Sequence, residues 1–114
     1  MIIAKGEKVH IIMRRAFEED LRRHFIGEII NLNSYVIRVK GYSFVFDKLT
    51  NNFVKKPDKR EKLVSLINDN TIINIIPSDA NLEKTIYTIN KEKHLCVTDG
   101  ETFSLDINEF GLTR

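Results

Sequence analysis

The sequence predicts an all-β fold, a small barrel or sandwich, on two observations. Apolar residues recur with a period of two and not 3.6, and the short apolar runs are separated by closely spaced turn residues. Val9, Ile11 and Met13 alternate with His10, Ile12 and Arg14. Residues 25–32 are almost wholly apolar, interrupted by Gly27 and Glu28, and read as a strand buried on both faces. Tyr35, Ile37 and Val39 alternate with Arg38 and Lys40, and Tyr42, Phe44 and Phe46 share one face opposite Ser43 and Asp47. Further runs follow at 63–67, 72–76, 86–89, 95–97 and 103–107. The punctuation falls at 31–34, Gly41, Asn51 and Asn52, 57–60, 68–70, 77–81, and Asp99 with Gly100.

The last hairpin has two readings. A two-residue turn at Asp99-Gly100 would set Leu95 and Val97 against polar residues. A three-residue loop at 98–100, with Gly100 left-handed, pairs Leu95 with Phe103 and keeps the apolar face together, and is preferred. One segment departs from the strand period. In residues 16–23, Phe17 and Leu21 lie four apart, and Glu18 and Glu19 each precede Arg22 and Arg23 by four. Such pairs contribute only about 0.2–0.5 kcal/mol each, so the segment is either one short helix or a charged loop.

The 114 residues suffice for one modest core, and 42% hydrophobic with 30% charged residues is globular composition. A net charge of +2 and a pI near 8.7 place any electrostatic footprint in local clusters, not in the total. Cys96 is the single cysteine, so no intrachain disulfide forms and a reducing, cytoplasmic location is expected. The N-terminal six residues are too quickly charged for a signal peptide, and no apolar run is long enough to span a membrane.

No catalytic constellation is visible, and no enzyme, cofactor or metal is expected. His10, His24 and His94 are far apart in sequence, and there is no nucleophile elbow, P-loop or dinucleotide fingerprint. One cysteine cannot build a structural zinc site. Glu18, Glu19 and Asp20 have arginine neighbours and read as a solvated face. Of a conceivable metal set, Asp99 and Glu101 read as turn residues and Asp106 as part of a polar strand face. Cys96 reads as a small core residue, since no histidine–carboxylate pair accompanies it.

Residues 25–39, Phe-Ile-Gly-Glu-Ile-Ile-Asn-Leu-Asn-Ser-Tyr-Val-Ile-Arg-Val, resemble the first motif of the Sm/LSm family, which includes bacterial Hfq. That motif has a glycine in a strongly bent strand, an aliphatic residue two on, an Asp or Asn six on, and then an apolar strand. Gly27, Ile29, Asn33 and residues 35–39 match those offsets. A tightly curved sheet needs a residue without a β-carbon where it bends hardest, which supports the match independently. Residues 70–77, Asn-Thr-Ile-Ile-Asn-Ile-Ile-Pro, look like the family's last strand. The Arg-Gly step of the eukaryotic second motif and the Tyr-Lys-His step of Hfq are both absent, with Asn68-Asp69-Asn70 in their place.

The resemblance implies an Sm-like, strongly bent barrel over residues 1–77, with a C-terminal β-hairpin extension over 78–114 packed on the same domain. It implies a homo-oligomeric ring built by edge-strand pairing. It also implies single-stranded RNA, or DNA, bound through Asn31, Asn33 and Tyr35 of the first motif and Asn68 and Asn70 of the last loop, in RNA or DNA processing or as a chaperone. Amides can hydrogen-bond base edges and a tyrosine ring can stack on a base. The plainer account of the same asparagines is turn formation, and of Tyr35 a core or edge aromatic. Positive charge clusters at Arg14-Arg15, Arg22-Arg23-His24, Lys55-Lys56 and Lys59-Arg60 with Lys62. The last group flanks Pro57-Asp58, read as a hairpin tip carrying cations into solvent. Around a ring these would suit phosphate backbones, or they solubilise the surface. The alternatives are a protein-interaction module that binds no nucleic acid, and an OB-type barrel that binds single strands without a ring.

Overall fold

Two-residue alternation with both strand faces apolar requires a sheet covered on both sides, and the computed structural model has that arrangement. It describes residues 2–15, 17, 19–68 and 70–107. The fold is all-β: β1 (Lys8–Met13), β2 (Arg23–Leu32), β3 (Val36–Asp47), β4 (Asn52–Lys55), β5 (Arg60–Ser65), β6 (Thr71–Ile76), β7 (Ile86–Ile89), β8 (Leu95–Thr98) and β9 (Ser104–Asp106). The first sheet is antiparallel in the order β4-β3-β2-β1-β6, with β5 also paired to β3. Among the described residues no strand pair joins β6 to β4 or β5, so hydrogen bonding leaves this bent sheet with two outer edges.

The strand parity sorts the core into two clusters. Val9, Ile11, Phe25, Ile29, Ile37, Val39 and Val64 fill one face of the first sheet. Ile12, Ile26, Phe44, Phe53 and Ile76 fill the other, against Ala80, Tyr87, Val97 and Ile107 from the second sheet. Each buried Val, Ile or Phe side chain contributes about 1.5–3 kcal/mol. The residues expected at the polar positions of β1 therefore also go inward: His10 and Ile12 are buried.

Gly41 does not separate two strands; β3 runs through it, and Gly41 lies opposite Gly27 of β2. A β-carbon on Gly27 would meet the Lys40 carbonyl oxygen at 2.7 Å, so the close approach of two backbones requires glycine on both strands. A bulge follows at Ile30, between the Ile29–Val39 and Asn31–Arg38 pairs, and adds bend just beyond this contact.

Pro57-Asp58 is not a hairpin tip. β4 and β5 both run antiparallel along the same edge of β3, β4 against Phe44–Asp47 and β5 against Val36–Gly41. Only Tyr42 and Ser43 lie opposite the four residues 56–59, which therefore bulge from one interrupted strand, held by a 2.8 Å bond from the Lys56 N–H to the Ser43 carbonyl.

The C-terminal addition is a three-stranded antiparallel sheet, β7-β8-β9, and not a hairpin, and its last turn is longer than expected. Thr98 pairs with Ser104 and Val97 with Leu105, while the Ile107 N–H reaches the Leu95 carbonyl at 2.9 Å. Gly100 is left-handed as expected, with φ of 84°. The Asp99 carboxylate draws the loop out to residue 103: it accepts the N–H groups of Glu101 (2.9 Å), Thr102 (2.8 Å) and Phe103 (3.3 Å), the Thr102 hydroxyl, and Asn81 N–H at 2.9 Å. Moving the partner by four residues keeps every side chain on its face, so the apolar alignment survives the change of register. Residues 108–114 of the predicted extension lie outside the described residues.

Between β1 and β2 the chain takes the loop alternative. The Phe17 N–H donates to Asp20 Oδ2 at 3.1 Å and the Asp20 N–H to the Phe17 carbonyl at 3.1 Å, and the described residues hold no helix. Phe17 and Leu21 are exposed, so the four-residue spacing buries nothing. Ala16 and Glu18 of that segment lie outside the described residues.

Candidate functional site

The β2–β3 turn is built by Asn33. Its Oδ1 accepts the N–H groups of Tyr35 at 2.8 Å and Val36 at 2.9 Å, and its own N–H bonds the Val36 carbonyl at 3.0 Å. This is an Asx turn, and it spends the carboxamide oxygen while leaving the Nδ2 donors. Asn31 bonds the Leu32 N–H at 2.9 Å through its Oδ1. Tyr35, at the tip, is 65% exposed. It is neither a core residue nor paired in the sheet.

The end of β5 is fastened to this turn. The Leu66 N–H donates to the Tyr35 carbonyl at 2.7 Å, and residues 66–70 then carry the chain to β6. Asn68 Oδ1 accepts the Asn70 N–H at 2.9 Å, and the Asn70 carbonyl accepts the Arg14 N–H at 2.8 Å. Asn33 and Tyr35 thus share one turn, and Asn31 lies in β2 just before it, opposite Arg38. Asn68 and Asn70 lie on the loop that leaves it and ends beside Arg14. Asp69 lies outside the described residues.

A shallow groove of about 160 Å³ flanks the turn, lined by Asn31, Leu32, Asn33, Val36, Arg38 and Leu63. The register explains its walls: Asn31, Arg38 and Leu63 form one row across β2, β3 and β5. Leu63 offers an exposed apolar floor, and Arg38 forms an exposed ion pair with Glu61 at 3.4 Å. A planar ring and a backbone phosphate would both find partners in such a row.

No family model matches the chain, and neither a curated protein nor a solved structure matches it.

The basic residues divide by face. Arg14 and Arg15 are exposed beyond β1, and Lys56 and Lys59 are exposed on the 56–59 bulge. Arg22 lies over the rings of Phe46 at 4.9 Å and Phe53 at 5.4 Å. Lys55 is a correction to the expected cationic surface. Its ammonium donates to the carbonyls of Leu82 at 3.1 Å and Glu83 at 2.5 Å and sits 4.2 Å from the centre of the Tyr42 ring. Burial lowers its pKa, partly opposed by Glu83. Arg23 and Arg60 are exposed, on the same face of the sheet as Lys62.

Sequence reasoning missed a buried polar cluster. The Tyr87 hydroxyl lies 2.8 Å from Nε2 of His10 and 2.7 Å from Nδ1 of His24. It bridges the second sheet to β1 and β2. Burial lowers the His10 pKa to about 4; burial, then His10 and Arg22, lower that of His24 to about 3; burial raises that of Tyr87. The three groups are therefore neutral near pH 7, and the hydroxyl can donate to one ring while accepting from the other. Separations of 77 and 63 residues left no local signal of this contact. Cys96 is buried and its thiol is pushed up by burial, while Asp106 faces His94 at 2.7 Å. Among the described residues no group of three or more His, Cys, Asp or Glu is placed to hold a metal ion. No helix among them is long and apolar enough to cross a membrane.

Proposed function

We propose that this protein binds single-stranded nucleic acid, RNA or DNA, as a homo-oligomeric Sm-like ring in the cytoplasm, without catalysing a reaction. The observation that carries the reading is the Leu66–Tyr35 hydrogen bond, because it sets the loop after β5 against the Asn33 turn. The bond brings residue 66, two before Asn68, to the tip of the first segment that the Sm/LSm resemblance singles out, where a tyrosine is exposed. Tyr35 would be the stacking platform, the Nδ2 donors of Asn33 and Asn31 would address a base edge, and Arg38 and, past the 66–70 loop, Arg14 would meet the strand's phosphates. The ring reading draws on the two outer edges of the first sheet. β6 with exposed Ile72 and Ile75, and β4–β5 with exposed Val54 and Leu63, would pair head to tail between copies. Light scattering combined with oligonucleotide binding tests both parts. A monomer removes the ring, and no affinity for U-rich or A-rich single strands at low salt removes the nucleic-acid reading.

A second reading rests on β7. It is an outer strand of the second sheet, and Ile86 and Ile89 on it are more than half exposed, at 57% and 59%. A protein partner adding a strand there would make the chain an interaction module with no nucleic acid. Retained affinity for a protein partner, with no oligonucleotide affinity, would favour it.

A further inference from the structure

The face of the first sheet that carries Phe25 ends in a group of cations. Arg23 and Phe25 are two apart on β2 and share its face, Ser43 lies opposite Phe25 on β3, and Arg60 and Lys62 of β5 lie opposite Gly41 and Val39. Cross-strand partners point to the same side, so these side chains share one face. The Lys62 ammonium lies 5.5 Å from the centre of the Phe25 ring. Burial, then the charges of Arg23 and Arg60, lowers the Lys62 pKa, so the three cations feel one another. The ion pairs found among the described residues engage Arg38, Lys84 and His94, and none of these three. Ser43 is only 6% exposed, and its hydroxyl has no hydrogen-bond partner. A buried hydroxyl without a partner costs stability, and three clustered cations repel one another. One ligand relieves both costs: a tetrahedral oxyanion.

We propose that Arg23, Arg60 and Lys62, with the Ser43 hydroxyl, form a binding site for a phosphate group. The two guanidinium groups offer paired N–H donors, the Lys62 ammonium a point charge, and Ser43 Oγ–H a short donor at the floor. The flexible stems of Arg60 and Lys62 move aside to admit the anion. The phosphate is either a backbone phosphodiester, in which case this site deepens and rests on the nucleic-acid reading, or a free phosphate-bearing small molecule.

The test uses the full chain and two probes, inorganic phosphate and a U-rich oligonucleotide. At constant ionic strength, phosphate replacing chloride should shift the amide signals of Ser43, Gly41 and Phe25 saturably. Ser43→Ala should weaken that response roughly 10- to 150-fold, the worth of one hydrogen bond to an anion, without loss of folding. The double variant Arg60→Gln, Lys62→Gln should abolish it. If the oligonucleotide occupies the same site, the double variant should reduce the slope of log affinity against log salt by about 1.4, for two lost single-strand phosphate contacts. Phosphate binding without oligonucleotide binding supports the site, assigns it to a free phosphate ligand, and removes the nucleic-acid reading alone. A response to phosphate no larger than to chloride overturns the site. So does oligonucleotide binding that the double variant leaves unchanged while phosphate stays silent, and that outcome leaves the nucleic-acid reading standing.

Discussion

Gly41 and Gly27 pair across β2 and β3 so closely that a β-carbon on Gly41 would lie 1.9 Å from the carbonyl oxygen of Ile26 and 2.6 Å from the Gly27 Cα. The paired strands can lie this close only with no side chain on either.

Gly41→Ala is therefore expected to be among the most destabilising single substitutions in the chain. The clash is with backbone, which cannot rotate away, so the cost should be about 3 kcal/mol or more. Gly100→Ala pays for a left-handed φ but meets nothing within 4 Å, and should cost about 1 kcal/mol. Urea unfolding of the two variants compares them. Equal midpoints would show that the strands do not pair as closely as described.

The second prediction concerns acid. His10 and His24 have folded pKa values lowered from about 6.5 to about 4 and about 3, chiefly by burial. A lowered histidine pKa means the unfolded chain binds more protons. Stability is then complete above about pH 6.5 and falls as the pH drops from there toward 4 and 3, by up to about 2.7 kcal/mol per pH unit for two protons. Tyr87→Phe removes the shared hydroxyl, leaves both rings short of a partner, and should cost about 1–3 kcal/mol at pH 7. Equilibrium unfolding at pH 7.5, 6 and 5 measures the slope, and a flat profile over that range would refute the buried neutral pair.

Asp99 supports a third. Burial alone would raise its pKa, but donors from Asn81, Thr102 and Glu101 outweigh it and hold the carboxylate well below the usual range. Its contribution is present above the unfolded value near 3.9 and is lost only in stronger acid, opposite in sense to a group with a raised pKa. Asp99→Ala should speed hydrogen exchange at the amides of Asn81, Glu101 and Thr102 while sparing β1 and β2. Unchanged exchange at those amides would mean that the carboxylate does not organise the loop.

These residues also explain what could be read in advance. The two core clusters follow strand parity, so the alternation of Val9 and Ile11, or of Ile37 and Val39, was enough to assign faces. Gly41 reads as a turn because a glycine marks a turn in the local chain, and a close pairing of two strands only in three dimensions, where Gly27 is the reason for it. Pro57 and Asp58 have the same turn chemistry in a bulge as in a hairpin, and only the pairing of β4 and β5 with one edge of β3 decides between them. The Asn33 turn was legible because an Asx turn is local. The inward course of Lys55 was not, since its acceptors are 27 and 28 residues away.

The final prediction separates recognition from assembly at Tyr35. Its ring is 65% exposed, while its carbonyl accepts the Leu66 N–H at 2.7 Å. The side chain and the backbone thus have different work, and Tyr35→Ala removes the first without touching the second. If a base stacks on the ring, the substitution should weaken single-strand binding by about 1–3 kcal/mol, or roughly 5- to 150-fold, with the mass by light scattering unchanged. Stacking involves no phosphate, so the salt dependence should keep its slope while the whole line drops. Arg14→Gln should do the reverse, flattening the slope by about 0.7. Measuring both variants across a salt series distinguishes a ring platform from a charge contact. An unchanged Tyr35→Ala affinity would remove Tyr35 from the site.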